Sequence, residues 1–124
     1  MSGIKYLLDT NLVLGLLKAT PEVVKIVVSR ELLASSCAYS AVTRMELLGY
    51  PNITNDEERL ITDRLSKFTY LAITTEIEDL AIALRRTRKV KLPDALVAGT
   101  ALHHGLELLT LDRALISIVN QTVT

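Results

Sequence analysis

A single cysteine, Cys37, is present in the 124-residue chain, so no internal disulfide can form. Its surroundings, residues 32–39, read as a buried strand, which makes Cys37 a small core residue rather than a nucleophile. No apolar run reaches the roughly 18 residues that a membrane span needs. Only Lys5 precedes the first apolar run, and no small-residue cleavage site follows it, so a secretion signal is not expected. The expectation is a cytoplasmic protein with no membrane partner. Charge of one sign is lacking too, with 14 basic and 14 acidic residues. Long-range steering of a polyanion would be weak, and any nucleic-acid contact must rest on local patches. No Gly-rich turn follows a strand, which argues against a dinucleotide site. No His or Cys pair stands at zinc spacing, because His103 and His104 are adjacent and would point about 100° apart on a helix.

What is present is enough apolar sequence for one domain: hydrophobic residues make up 49% and charged residues 23%. The pattern alternates between short apolar runs and helical spacings. Strands are expected at 4–8, 32–39, 69–74 and 106–110, with a possible fifth near 118–123. Helices are expected at 11–18, from Pro21 to about Arg30 behind a Thr20 cap, from Ser40 to Gly49, from Asn55, from Thr75 to about Lys89, and from Leu92 to Gly105. Asn55 and Glu58 are read as a capping-box variant, and Thr75 with Glu78 as a capping box. Strands separated by helices imply a three-layer α/β/α fold around a central parallel sheet of four to five strands. Ligands of such sheets bind beyond the carboxyl ends of the strands, where strand order reverses.

Four acids fall in that zone. Asp9 ends the first strand and Asp112 lies just past the fourth. Asp94 opens a helix behind Pro93. Glu46 is roughly 40° from Val42 on a helical wheel, on the side that carries apolar residues. Each acid has a plain explanation as a cap, a helix-dipole partner or half of an ion pair, Glu46 with Arg44 or Arg113. Together they are harder to dismiss. Two like charges about 5 Å apart cost roughly 3 kcal/mol at an effective dielectric of about 20, so four at one edge call for protonation or a cation. All-oxygen donors select a hard divalent ion, Mg²⁺ or Mn²⁺.

The segments Leu7-Leu8-Asp9-Thr10-Asn11, Thr43-Arg44-Met45-Glu46-Leu47-Leu48-Gly49, Lys91-Leu92-Pro93-Asp94-Ala95-Leu96-Val97-Ala98 and Leu109-Thr110-Leu111-Asp112 resemble those of PIN-domain nucleases, most closely the VapC-type toxins of toxin–antitoxin pairs. The resemblance spans nearly the whole chain. It implies a metal-dependent endoribonuclease acting on RNA. Asp9, Glu46, Asp94 and Asp112 match the family's acidic quartet, and Thr10, Asn11 and Thr110 would be supporting polar residues. It also implies a homodimer and a small antitoxin partner. One departure is the run Arg113-Ala114-Leu115-Ile116, which lacks the further polar residue and aromatic that many relatives carry, and this bears on a second metal site.

The basic run at 85–91, with Arg85, Arg86, Arg88, Lys89 and Lys91, is the best local candidate for RNA contact, with Arg44 and Arg113 as alternatives beside the acids. Leu12, Leu16, Val23, Val27 and Val28 suggest a wide apolar face for self-association. Among rival readings, a receiver-type domain would want an acidic neighbour for Asp9. A haloacid-dehalogenase-like phosphatase would want an acid at position 11, where Asn stands. The non-enzymatic alternative is a PIN-like binding module that has lost activity.

Overall fold

The computed structural model describes residues 3–123. Four strands, β1 (Tyr6–Leu8), β2 (Cys37–Ser40), β3 (Thr69–Leu71) and β4 (Glu107–Leu109), form a parallel sheet in the order β3-β2-β1-β4. Between and after them run α1 (Thr10–Lys18), α2 (Pro21–Ser29), α3 (Ala41–Leu48), α4 (Asn55–Leu65), α5 (Thr75–Thr87), α6 (Leu92–His104) and α7 (Arg113–Val123). No described helix is long and apolar enough to cross a membrane.

Successive strand residues point to opposite faces, and here they feed two separate cores. Leu7, Ala38 and Leu108 pack with Leu84 of α5, Ala98 and Ala101 of α6, and Leu115 and Val119 of α7. Leu8, Cys37, Tyr39 and Leu109 pack on the other side with Leu12 of α1, Val23 of α2, and Ile61 and Leu65 of α4. Both sheet faces are therefore covered by helices. This is the expected three-layer arrangement, with four strands. Leu7 and Leu8 have no exposure at all, and each contributes about 1.5–3 kcal/mol by burial.

Several expected boundaries shift. Residues 34–36 make a 3₁₀ turn, so the second strand begins only at Cys37 and reaches Ser40. Leu33 is 63% exposed and could not have faced a core there. Residues 118–123 belong to α7, not to a fifth strand. The β-branched run there is ambiguous by composition, and the helical pair Leu115 and Val119 decides it, because both face one core. Thr54, not Asn55, caps α4: its hydroxyl accepts from the Glu57 amide at 3.1 Å, while the Glu57 carboxylate accepts from the Thr54 amide at 3.0 Å. Likewise Thr74, not Thr75, caps α5, accepting from the Ile77 amide at 3.3 Å. In both cases the extended residue just before the helix has the geometry a cap needs.

The apolar face expected on α1 and α2 is mostly core. Leu12 and Val23 are fully buried, Leu16 and Val27 pack against the same cluster, and Val28 alone of the five is exposed. Gly15 makes this closeness possible, since a Cβ there would lie 2.2 Å from Val23 Cγ2 and 2.8 Å from Val23 Cβ. Gly105 ends α6 at φ +64°, the left-handed conformation that turns the chain into β4. Gly15→Ala should lower unfolding stability by about 1–3 kcal/mol in a denaturant titration, because buried Val23 cannot retreat freely. An unchanged midpoint would mean that α1 and α2 are not this tightly crossed.

Candidate functional site

The sheet's strand order reverses between β1 and β4, and their register sets the site. Leu8 pairs with Leu109, so the next residues along, Asp9 and Thr110, stand side by side at the carboxyl edge. The Asp9 amide donates to the Leu109 carbonyl at 3.0 Å. Asp9 then caps α1, with its Oδ1 accepting from the Thr10 amide at 2.8 Å. Its Oδ2 accepts from the Thr110 hydroxyl at 2.8 Å. Both carboxylate oxygens are held, and the side chain belongs to a residue only 8% exposed.

Asn11 sews the two strand ends together from the other side. Its Nδ2 donates to the Thr110 hydroxyl oxygen at 3.2 Å, and its Oδ1 accepts from the Leu111 amide at 3.1 Å. The Thr110 oxygen also accepts from the Asp112 amide at 3.1 Å. Asp112 is exposed and caps α7, with Oδ1 accepting from the Ala114 and Leu115 amides at 3.0 and 3.2 Å.

Glu46 differs from the sequence expectation. It is exposed on α3 rather than half-buried on the apolar side, since Val42 and Leu47 turn inward and leave Glu46 facing out. Its partner is not an arginine: Oε1 accepts from the Thr10 hydroxyl at 2.6 Å. That hydroxyl also lies 3.1 Å from the hydroxyl of Thr43, which is fully buried. Thr43 is a supporting residue that the sequence reading did not single out. The available signal was its position three residues before Glu46, hence on a neighbouring part of the same helix face. Asp94 lies in the first turn of α6 and is half-buried.

The acids sense one another. Burial is the main cause that pushes the Asp9 carboxyl above its ordinary value; its hydrogen bonds to Thr110 and Thr10 oppose this, and the charges of Glu46 and Asp112 add to it. The Asp94 carboxyl is raised by burial first, then by the charges of Asp9 and Asp112, with Lys91 opposing. All four acids are thus coupled electrostatically at one edge. Their oxygen donors suit a hard divalent cation. They do not form a ready cage, because among the described residues no three His, Cys, Asp or Glu side chains stand close enough to hold one ion as they are.

The basic candidates separate. Lys91, at the N-cap of α6, is the member of the 85–91 run whose charge reaches Asp94. Arg85 and Arg86 line a cleft with Leu92 and Leu96, about 200° around α6 from Asp94 and so on its far side. Arg44 and Arg113 are exposed near Glu46 and Asp112 in sequence. A cavity of about 660 Å³ runs along β4 between α2 and α7, and of the expected site residues it touches Thr110 alone. The acidic edge does not line that cavity.

The chain is similar to several proteins of known structure. A chain in a solved toxin–antitoxin complex from Klebsiella pneumoniae is 31% identical, with a TM-score of 0.74 and 87% of each chain covered. FitAcB from Neisseria gonorrhoeae contains a chain that is 24% identical, with a TM-score of 0.73 over 93% of each chain. A chain of VapBC2 from Rickettsia felis, solved bound to a DNA fragment from its promoter, is 20% identical, with a TM-score of 0.75 over 94% of this chain and 95% of that one. The last two show the fold alone. A search of curated proteins returns no match. The PIN domain matches residues 6–120, nearly the entire chain and every acid of the site, and the protein belongs to the PIN-domain family.

Proposed function

We propose that the protein is a metal-dependent endoribonuclease and the toxin of a toxin–antitoxin pair, with the acidic edge as its active site. The observation that carries this reading is Asp9: a buried carboxylate, fixed through both oxygens, under the fields of Glu46 and Asp112 at the point where strand order reverses. Such an arrangement opposes the fold unless a cation or a proton compensates it. Asp9, Asp94, Glu46 and Asp112 are the residues that would hold Mg²⁺ or Mn²⁺, and the bound cation would supply an acidified water and neutralise charge on the phosphate. Thr110 and the Thr10 amide keep Asp9 oriented. Glu46 Oε1 is held by Thr10, which leaves Oε2 to orient a water. Lys91, Arg44 and Arg113 are placed to meet RNA phosphates around this edge. The likeness to a chain of a toxin–antitoxin complex supports a small antitoxin as partner.

A second reading, a PIN-like binding module without activity, has one observation in its favour: among the described residues no three acids are close enough to grip an ion without movement. Metal titration separates the two. Mg²⁺ or Mn²⁺ should raise the melting temperature of the purified protein and support cleavage of a mixed structured RNA pool. Asp9→Asn should lose both responses, with cleavage falling to background. Stabilisation without cleavage would favour the binding module, and absence of both responses would refute the carboxylate site.

Thr110→Val keeps the shape of a buried side chain but removes the hydroxyl that holds Asp9. Metal affinity should fall about 10–100-fold, as for other residues that orient a ligand. Unchanged affinity by calorimetry would exclude Thr110 from that role.

The raised pKa values set a pH dependence. Asp9 and Asp94 both titrate above 3.8 in the folded chain. An acid with a raised folded pKa stabilises the fold fully below the unfolded value, and that contribution is lost as pH rises through the folded one. Metal-free Asp9→Asn should therefore be more stable than wild type at neutral pH, and the advantage should vanish as pH falls towards 3.8. Thermal melts across that range would refute the assignment if the gap stayed constant.

A further inference from the structure

Thr87 and Thr100 use their hydroxyls as helical threonines usually do. They donate to the carbonyls of Ala83 at 3.2 Å and Leu96 at 2.7 Å, each four residues back. Thr43 of α3 does not. The residue is fully buried, and among the described residues the one partner of its hydroxyl is the Thr10 hydroxyl, 3.1 Å away on α1. Proton counting fixes the direction of this pair. Thr10 has one hydroxyl proton, and the 2.6 Å bond to Glu46 Oε1 takes it, because a carboxylate only accepts. The proton across the 3.1 Å contact therefore comes from Thr43. Donating it also satisfies a buried hydroxyl that water does not reach. The chain of donation runs one way, from Thr43 to Thr10 to Glu46, and each bond polarises the next. Thr10 is its pivot, since its amide donates to Asp9 Oδ1 at 2.8 Å. One residue at the start of α1 thus holds a buried acid with its backbone and an exposed acid with its side chain.

We propose that Thr43 is a positioning residue for Glu46. Its proton keeps the Thr10 hydroxyl in one rotamer, and Thr10 then keeps Glu46 turned towards Asp9 before a cation binds. The inference rests on the reading of the acidic edge as a Mg²⁺ or Mn²⁺ site. An exposed glutamate loses rotamer freedom when it turns to a cation, and ordering it in advance removes that cost from binding. Valine at position 43 would fill the same space and leave the Thr10 side chain free to rotate.

Mn²⁺ binding to the full chain, followed by the electron paramagnetic resonance signal of free Mn²⁺, tests this without RNA. Thr43→Val should bind Mn²⁺ about tenfold more weakly than wild type, and Thr43→Ser should recover most of the loss. Thr10→Val keeps the amide on Asp9 and removes only the pivot hydroxyl. It should lose at least as much affinity, and it serves if Thr43→Val does not fold. In a Glu46→Ala background Thr43→Val should cost nothing further, because no carboxylate is left to position. In the metal-free protein, three-bond couplings to the Thr10 methyl carbon should report a single χ1 rotamer in wild type and Thr43→Ser, and averaging in Thr43→Val. Wild type that binds no Mn²⁺ would overturn the acidic-edge reading and this inference together. With a wild type that binds, four outcomes would overturn this inference alone: unchanged affinity in Thr43→Val or Thr10→Val, a loss that persists without Glu46, a loss that Thr43→Ser does not recover, or an averaged Thr10 in wild type.

Discussion

The acidic edge depends on the register between β1 and β4. Pairing Leu8 with Leu109 sets Asp9 beside Thr110, and the hydroxyl-to-carboxylate bond between them follows from that pairing. A one-residue slip would turn each strand's alternating leucines to the wrong core and part the two polar residues. The hydrophobic pattern that divides Leu7 from Leu8, and Leu108 from Leu109, is therefore also what aligns the site. Asn11 and the loop at Leu111 reinforce the junction, so the two strand ends behave as one rigid mount.

On that mount the chain keeps a charge arrangement that opposes its own stability. Burial and the neighbouring acids both disfavour an ionised Asp9, and only the Thr110 hydroxyl and the Thr10 amide offset them. Asp94 stands in the same field, with Lys91 as its compensating charge. Glu46 and Asp112 differ from the other two in being exposed, each tied to a neighbour through one oxygen: Glu46 to Thr10, Asp112 to the first amides of α7. Asp9 has the fixed position, and the exposed pair can adjust around it.

The helices are used chiefly to cover the sheet. Around the sheet they cover both faces, and the leucines and valines of α1 and α2 are largely consumed in doing so. On the outer side of α5 and α6 the apolar residues Ile82 and Leu92 remain exposed between acidic and basic blocks.

Much of this was legible in one sequence. Alternating short apolar runs and helical spacings, with Pro21, Ser40 and Gly105, lead to the parallel sheet, and the resemblance carried by four acidic segments adds Thr10, Asn11 and Thr110, which the structure sets around Asp9. Adjacent capping candidates were harder, because Thr54 and Asn55, or Thr74 and Thr75, differ only in which one is extended. The turn at 34–36, the helical state of 118–123 and the exposure of Glu46 also required three dimensions, since each depends on which core lies opposite. The sequence by itself determined the four strands, the order of the helices between them and the parallel sheet, because periodicity and side-chain chemistry are local properties. Tertiary structure alone decided that Thr43 stands behind Thr10, that Arg85 and Arg86 turn away from Asp94, and how strongly each acid feels the others, because these follow from distances across the sheet edge and around helices that no spacing along the chain encodes.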